Sequence, residues 1–264
     1  MELQGRTAVV TGGGSGIGAA TCALLSKHGV RAVSWDIEPG ADVQVDVTSE
    51  QSIAAAVAET ISQWGTPSLL VGSAGVASVS PLLDIAVDDW DKVFAVNVKG
   101  ILLSIQSIAR AMIAAGLDGA MVTVSSVNGI LSDRNLAAYS ASKAAVYHLT
   151  RVAAVELGPH NIRINAIGPG PTDTPLLSPA FTDEFLDAVR KNTPLGRLGA
   201  PELVADGILN LLRSDWITGQ AVMVDGGASL MSARGGTRDF GPISAKPGRE
   251  RRHPRTALQR TEAP

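Results

Sequence analysis

The sequence predicts an α/β protein built on one doubly wound parallel sheet of about seven strands, with helices on both faces. Three observations predict it. Short β-branched runs recur along the chain, each followed by a longer stretch of helical periodicity. The first run joins the first helix through a glycine-rich turn, Gly12-Gly13-Gly14-Ser15-Gly16-Ile17-Gly18. The second run ends in a single acid, Asp36, eighteen residues beyond Gly18.

Taken in order, residues 6–11 (RTAVVT) read as a buried strand, and the amphipathic run after the glycine turn as the first helix. Residues 31–35 (RAVSW) give the second strand. About six residues (IEPGAD) then lead to a third strand at 43–47, too few for a crossover helix. Thr48-Ser49-Glu50 offers an N-cap for a helix to about Trp64. Strand four is 68–72, closed by Ser73-Ala74-Gly75. One long helix is expected from about Val87 to Gly116. Strand five (120–124) leads into Ser125-Ser126, and the next helix carries Tyr139-Ser-Ala-Ser-Lys143. Strand six (163–167) ends in Gly168-Pro169-Gly170-Pro171. Residues 176–198 read as a mobile excursion with one short helix. Pro201 opens a helix to about Arg213, and 220–225 is the last strand. No repeat or linker divides residues 1–230.

Residues 231–264 differ in character. They hold eight Arg or Lys and three acids among scattered Pro and Gly, about +5, which leaves the body at about −8. Such a segment reads as a flexible extension.

Composition narrows the function. Apolar residues at 45% support a large core, and aromatics at 4% require that core to be Ala, Val, Leu and Ile. A net charge of −3 argues against non-specific nucleic-acid binding. The charge-free stretch 60–83 is interrupted by Gly, Ser and Pro, so no membrane span is read there. Cys22 is the single cysteine, which excludes an internal disulfide and fits a reducing, cytoplasmic setting. In its apolar helical run it reads as a core residue. The first strand starts within a few residues of Met1, leaving no room for a signal peptide.

The glycine turn lets backbone approach a pyrophosphate, which then meets the free N–H groups and positive dipole end of the helix. Asp36 can accept from both ribose hydroxyls of NAD and would repel the 2′-phosphate of NADP. No Lys or Arg lies in the glycine turn, and Ser15 stands where a phosphate-binding cation could sit. The expected cofactor is therefore NAD. Tyr139 and Lys143 stand four apart on one helix face, so the ammonium can sit beside the phenol. A phenol titrates near ~10 and is a poor base at neutral pH, and a neighbouring cation favours the phenolate. The histidines (His28, His148, His160, His253) show no ligand spacing, and no metal is expected.

The motifs Thr11 to Gly18, Asp46-Val47, Asn97, Ser126 thirteen residues before Tyr139, Tyr139 with Lys143, Pro169-Gly170 with Thr174, and Asp225-Gly226-Gly227 follow one another in this order. Over about residues 5–230 the chain resembles the short-chain dehydrogenase/reductase family. The resemblance implies a single Rossmann-type domain, residues 1–230, with an integral substrate pocket. It implies that Tyr139 is the general acid/base, that Lys143 tunes it and bonds the nicotinamide ribose, that Ser126 holds the substrate oxygen, and that Asn97 anchors a relay water. Gly12, Ser15, Gly16, Ile17 and Gly18 would serve the pyrophosphate, and Asp36 the adenosine ribose. Asp46 and Val47 would meet the adenine. Ala74 and Gly75 complete the cofactor site after strand four, and Pro169, Gly170, Thr172 and Thr174 flank the nicotinamide.

The implied reaction is reversible hydride transfer between NAD and a secondary alcohol or ketone, in a homotetramer packed through the helices around 87–116 and 139–158. One departure is Gly72-Ser73 where the family usually has Asn-Asn, expected to weaken hydrogen bonding on the adenosine side. The substrate walls should be small or apolar (Val76, Ala77, Val127, Ile130, Leu131, Leu176, Leu177, Phe181), favouring a hydrophobic, alicyclic or steroid-like molecule. Two alternatives stay open. One is a 3-oxoacyl-thioester (acyl carrier protein) reductase, a type that commonly prefers NADPH. The other is a catalytically silent cofactor-binding scaffold, which the intact Asn97, Ser126, Tyr139 and Lys143 argue against.

Overall fold

The central strands predicted from β-branched runs are buried on both faces of one sheet, which is why they read as continuous apolar segments rather than as alternating ones. The computed structural model describes residues 1–177 and 182–231; the expectations for Phe181 and for residues 232–264 of the tail lie outside the described residues. In chain order the elements are β1 (Thr7–Thr11), α1 (Gly16–Lys27), β2 (Arg31–Asp36), β3 (Val43–Gln44), α2 (Glu50–Trp64), β4 (Leu69–Gly72), α3 (Val87–Phe94), α4 (Gly100–Ala114), β5 (Gly119–Val124), α5 (Ala137–Leu157), β6 (Ile162–Pro169), α6 (Asp183–Asn192), α7 (Pro201–Arg213) and β7 (Ala221–Val224). The seven strands pair in parallel in the order β3-β2-β1-β4-β5-β6-β7.

Alternate residues of each strand serve opposite faces. Val9, Val33, Trp35, Leu70, Met121 and Ile164 pack with residues of α2, α4 and α5. Ala8, Val10, Val71, Val122 and Ile167 pack with residues of α1 and α7. The strand order runs in opposite directions from the β1–β4 pair, so a crevice opens at the carboxyl ends of these two strands. The glycine turn and Ser73-Ala74-Gly75 both sit at that crevice.

Two elements differ from the sequence expectation. β3 is confined to Val43–Gln44, because Asp46 leaves the sheet to bond Thr48. Ser49 then caps α2, accepting from the Ser52 N–H at 3.2 Å. The expected long helix is continuous over Val87–Ala114, but a π turn interrupts it at Ala95–Lys99, where the Gly100 N–H reaches back to the Ala95 carbonyl. By length and composition that stretch could cross a membrane. Half of its most apolar window is buried here, with α4 set against α2, α5, β4 and β5.

Candidate active site

At the β1–α1 turn the glycines are fixed by space. Gly12 has φ +67°, and a Cβ there would stand 2.8 Å from the Ala74 nitrogen, so the ends of β1 and β4 meet with no room for a side chain. A Cβ on Gly18 would overlap the Gly12 carbonyl oxygen. Gly18 leaves room for the Gly12 carbonyl beneath the turn, and it stands behind the cavity lining. The Gly14 N–H donates to Asp36 Oδ2 at 2.9 Å, and the Glu38 N–H to Oδ1 at 3.2 Å, so the loop itself orients the carboxylate. Ser15 is the extended N-cap of α1, and its hydroxyl makes no capping bond. Asp46 Oδ1 accepts from the side chain and backbone of Thr48, which hold its carboxyl below the usual range.

At the Gly72-Ser73 departure the neighbouring side chains take up the space and the backbone donors. A Cβ on Gly72 would press on Ile101 Cδ1 at 2.6 Å, so Ile101 fills that space. Thr11 Oγ1 accepts from the Ser73 and Ala74 N–H groups at 3.1 and 3.2 Å, which anchors the backbone there.

The other end is a buried polar cluster. Ser126 follows β5 and caps a short 3₁₀ turn, accepting from the Asn128 N–H at 3.1 Å. Tyr139 and Lys143 come from successive turns of α5. Lys143 is only 5% exposed; its Nζ donates to the Val124 carbonyl at 2.9 Å and stands 5.6 Å from the Tyr139 ring centroid. A Cβ on Gly75 would come within 3.3 Å of that Nζ and 3.4 Å of Asn97 Oδ1, so Gly75 keeps the approach to both clear.

Asn97 is fully buried in the π turn. Its Oδ1 accepts from the Val76 N–H (2.8 Å), and its Nδ2 donates to the Val76 carbonyl and to Ser142 Oγ (2.9 Å each). Ser142 passes its own hydroxyl hydrogen to the Tyr139 carbonyl at 2.7 Å. Asn97 thus ties the segment after β4 to the backbone of α5. Both of its amide hydrogens are committed to protein partners.

Burial decides the charges. It pushes the Tyr139 phenol up, against a hydrogen bond with the Ser126 side chain that draws it down. Burial also lowers Lys143 to about 8. The expected lowering of the phenol by its neighbouring cation is therefore outweighed here by desolvation.

The sequence reading missed Tyr147, two turns beyond Tyr139 on the same face of α5. It is 6% exposed and donates to the Ser126 carbonyl at 2.8 Å; burial pushes its phenol up to about 12, which keeps it a donor. Gly129 and Gly168 give its ring space that any side chain would take. Ser125 Oγ donates to the Lys143 carbonyl at 2.7 Å, a second tie between this loop and α5. The continued i, i+4, i+8 spacing from Tyr139 was the available signal for Tyr147.

One cavity of about 1620 Å³ joins the two ends. Gly12, Ser15, Gly16, Ile17, Asp36, Asp46, Val47, Ala74, Gly75, Ser126, Tyr139, Lys143, Pro169, Gly170, Thr172 and Thr174 all line it; Asn97 stands behind the lining. Val76, Ala77, Val127, Leu176 and Leu177 form walls as expected, joined by Phe185 of α6. Ile130 and Leu131 are absent from the lining, and Asp133, Arg134 and Asn135 occupy that wall instead. A cavity of this volume, lined by the glycine turn and by Asp36 and Asp46, has room for a dinucleotide plus a small substrate. Among the described residues no three His, Cys, Asp or Glu side chains gather as metal ligands would.

The chain is similar to known proteins over most of its length. Residues 12–229 match the family described as "Enoyl-(Acyl carrier protein) reductase". The chain is similar to cis-4-hydroxycyclohexanecarboxylate dehydrogenase of Sinomonas cyclohexanicum, with 39% identity over 84% of this chain and 96% of the relative. It is similar to the NAD-dependent glycerol dehydrogenase of Listeria innocua, with 37% identity over 87% of this chain and 96% of the relative. A crystal structure of a short-chain type dehydrogenase/reductase from Mycobacterium marinum superposes with a TM-score of 0.82 at 30% identity, covering 86% of this chain and 96% of that one. The chain belongs to the short-chain dehydrogenase/reductase family and is an enzyme of that family, an oxidoreductase.

Proposed function

We propose that this enzyme interconverts a secondary alcohol and a ketone, with NAD as redox partner and Tyr139 as the proton-transferring group. The observation that carries the reading is the joining of Ser126, Tyr139 and Lys143 to Asp36 and Asp46 through one cavity. The nicotinamide, when bound, supplies hydride exchange with the carbinol carbon. Gly12, Ser15, Gly16 and Ile17 would hold the pyrophosphate, Asp36 the adenosine ribose, and Asp46 with Val47 the adenine. Ala74, Gly75, Pro169, Gly170, Thr172 and Thr174 would flank the nicotinamide half.

In the oxidising direction, Ser126 and Tyr139 grip the substrate hydroxyl, and Tyr139 takes its proton while negative charge grows on the oxygen. Lys143 must be charged to favour the phenolate against desolvation, and with its value at about 8 it holds its proton at neutral pH. Asn97 is assigned the anchor of a relay water. Its side chain is committed to Val76 and Ser142, which leaves the backbone of the π turn for that contact.

Asp36 supports NAD over NADP, since a 2′-phosphate would meet a carboxylate fixed by Gly14. The walls of Val76, Val127, Leu177 and Phe185, together with the alicyclic substrate named for the Sinomonas relative, support a hydrophobic alicyclic alcohol. The second reading, a 3-oxoacyl-thioester reductase, is favoured by the acyl carrier protein in the family description. We also propose a cytoplasmic homotetramer. Val152 and Val155 on α5, with Ile113 on α4, are apolar and exposed, as an interface between copies would require.

Titration of the protein's fluorescence with NADH and NADPH tests the cofactor assignment. NADH should bind roughly tenfold tighter or more; equal or tighter NADPH binding would refute it. Oxidation of cyclic secondary alcohols with NAD, set against reduction of a 3-oxoacyl thioester with NADPH, separates the two substrate readings.

A further inference from the structure

The mouth of the cavity opens beside a surface that is both apolar and acidic. The Ser80 N–H donates to the Asn135 carbonyl at 2.9 Å, which pins the chain before α3 to the loop after Ser126. That loop is closed by Asn128 Nδ2 on Asp133 Oδ2 at 3.1 Å and turns Ile130 out to solvent. Just beyond Ser80 a short 3₁₀ turn, Leu82–Asp84, leads into α3. Leu82, Leu83 and Val87 are between 72% and 94% exposed. Trp90 is partly exposed and stacks on Phe94, with ring centroids 4.7 Å apart.

Four acids stand among these residues: Asp84, Asp88, Asp89 and Asp91. All four are exposed, and none enters an ion pair among the described residues. The helix dipole accounts for Asp88 and Asp89 in the first turn of α3. It does not account for Asp84 and Asp91, or for three large apolar side chains left in water. A contiguous apolar surface rimmed by charge marks a place of interaction. It is distinct from Ile113, Val152 and Val155, which stand at the far end of α4 and on α5.

The same chain holds a segment of matching chemistry. Ala228 lines the cavity together with Asp89 and Lys92 of α3, and the turn Ala228–Leu230 leaves Leu230 exposed. The chain beyond Met231 therefore departs from the cavity whose rim carries the patch. Residues 234–249 set Phe240 and Ile243 between Arg234 and Arg238 on one side and Lys246 and Arg249 on the other, with Asp239 as the one acid. Nine residues take the chain from Met231 to Phe240, a reach of up to about 30 Å. A tether this short keeps the segment near the patch at roughly millimolar effective concentration, so weak contacts suffice.

We infer that residues 234–249 dock on the Leu82–Asp91 surface of their own chain. Phe240 and Ile243 cover the exposed apolar side chains, and the basic residues face the four acids. The docked segment lies beside the mouth of the cavity.

Limited trypsin cleavage of the full-length protein tests this, read by mass spectrometry at Arg234, Arg238 and Arg249. The wild type is compared with Leu83→Ser/Val87→Ser and with Asp88→Asn/Asp91→Asn, at about 50 mM and about 500 mM salt. The four replaced side chains are exposed, so the fold of the body is not at issue. At low salt these sites should be cut about three- to tenfold faster in either variant than in the wild type. High salt should bring the wild type close to the Asp88→Asn/Asp91→Asn variant. A second measurement combines Leu83→Cys and Ile243→Cys with Cys22→Ser, and mild oxidation should form a disulfide within one chain. Equal cleavage rates in all three proteins at low salt overturn the inference. So does a disulfide found only between chains, which gives the patch to a second copy.

Discussion

The two ends of the cavity are built by different means. The nucleotide end is made of backbone and missing side chains: Gly12 against Ala74, Gly18 under the Gly12 carbonyl, and Asp36 held by the Gly14 N–H. The reacting end is made of side chains that hold one another: Tyr147 on the Ser126 carbonyl, Ser125 on the Lys143 carbonyl, and Asn97 on Val76 and Ser142. The first end tolerates almost no added volume. The second is sensitive to the loss of single hydroxyls and charges.

The largest effect should come from adding volume at the first end. Gly18→Ala sets a Cβ into the Gly12 carbonyl, which neither backbone can avoid, so about 3 kcal/mol or more of stability should be lost along with NADH binding. Gly158→Ala is the control, because it ends α5 with helical backbone and open space around the new Cβ. It should change stability by no more than about 1 kcal/mol, in the stabilising direction. Denaturant midpoints of the two variants check this contrast, and equal losses would break it.

Next comes the charge at the reacting end. The folded value of Lys143, about 8, lies below its ordinary 10.5. Above about pH 8 the folded chain has released a proton that the unfolded chain still holds, so this group makes the cofactor-free protein more stable as pH rises from about 8 to about 10.5. The Tyr139 phenol is displaced upward and acts in the opposite sense above about pH 10. Between pH 7 and 10 the wild type should gain up to about 3 kcal/mol relative to Lys143→Met, read from denaturant midpoints at each pH. A constant difference would show that burial does not displace Lys143.

A smaller effect belongs to Tyr147. Tyr147→Phe keeps the ring in its glycine-lined space but leaves the Ser126 carbonyl without its donor, so stability should fall by about 1–2 kcal/mol. If Tyr147 also positions Ser126, kcat falls several-fold while NADH affinity holds. Loss of stability with kcat intact would confine Tyr147 to packing.

The same contrast explains what could be read from the sequence. The glycine turn, Asp36 and the alternation of strands with helices follow from spacing along the chain, because each depends on backbone geometry that particular residues impose locally. Tyr139, Lys143 and Ser126 are legible for the same reason, through helix periodicity and a fixed interval. The π turn under Asn97, the role of Ile101 beneath Gly72, and the inward face of Asp133 to Asn135 were not legible. Each depends on packing between segments far apart in sequence: Ile101 lies on α4 and fills the space beside β4, and Ser80 fixes Asn135 across the cavity mouth. Side-chain polarity alone pointed Ile130 inward, and the tertiary hydrogen bonds of the loop turned it out.

The central claim is that Tyr139 transfers the proton in a site whose cofactor end is independent of it. Steady-state turnover of Tyr139→Phe with the best of the cyclic secondary alcohols, measured beside an NADH titration, tests it most directly. The account predicts a fall in kcat of roughly 10³-fold or more, with NADH affinity within a few-fold of the wild type. Turnover near the wild-type rate in that variant would contradict it.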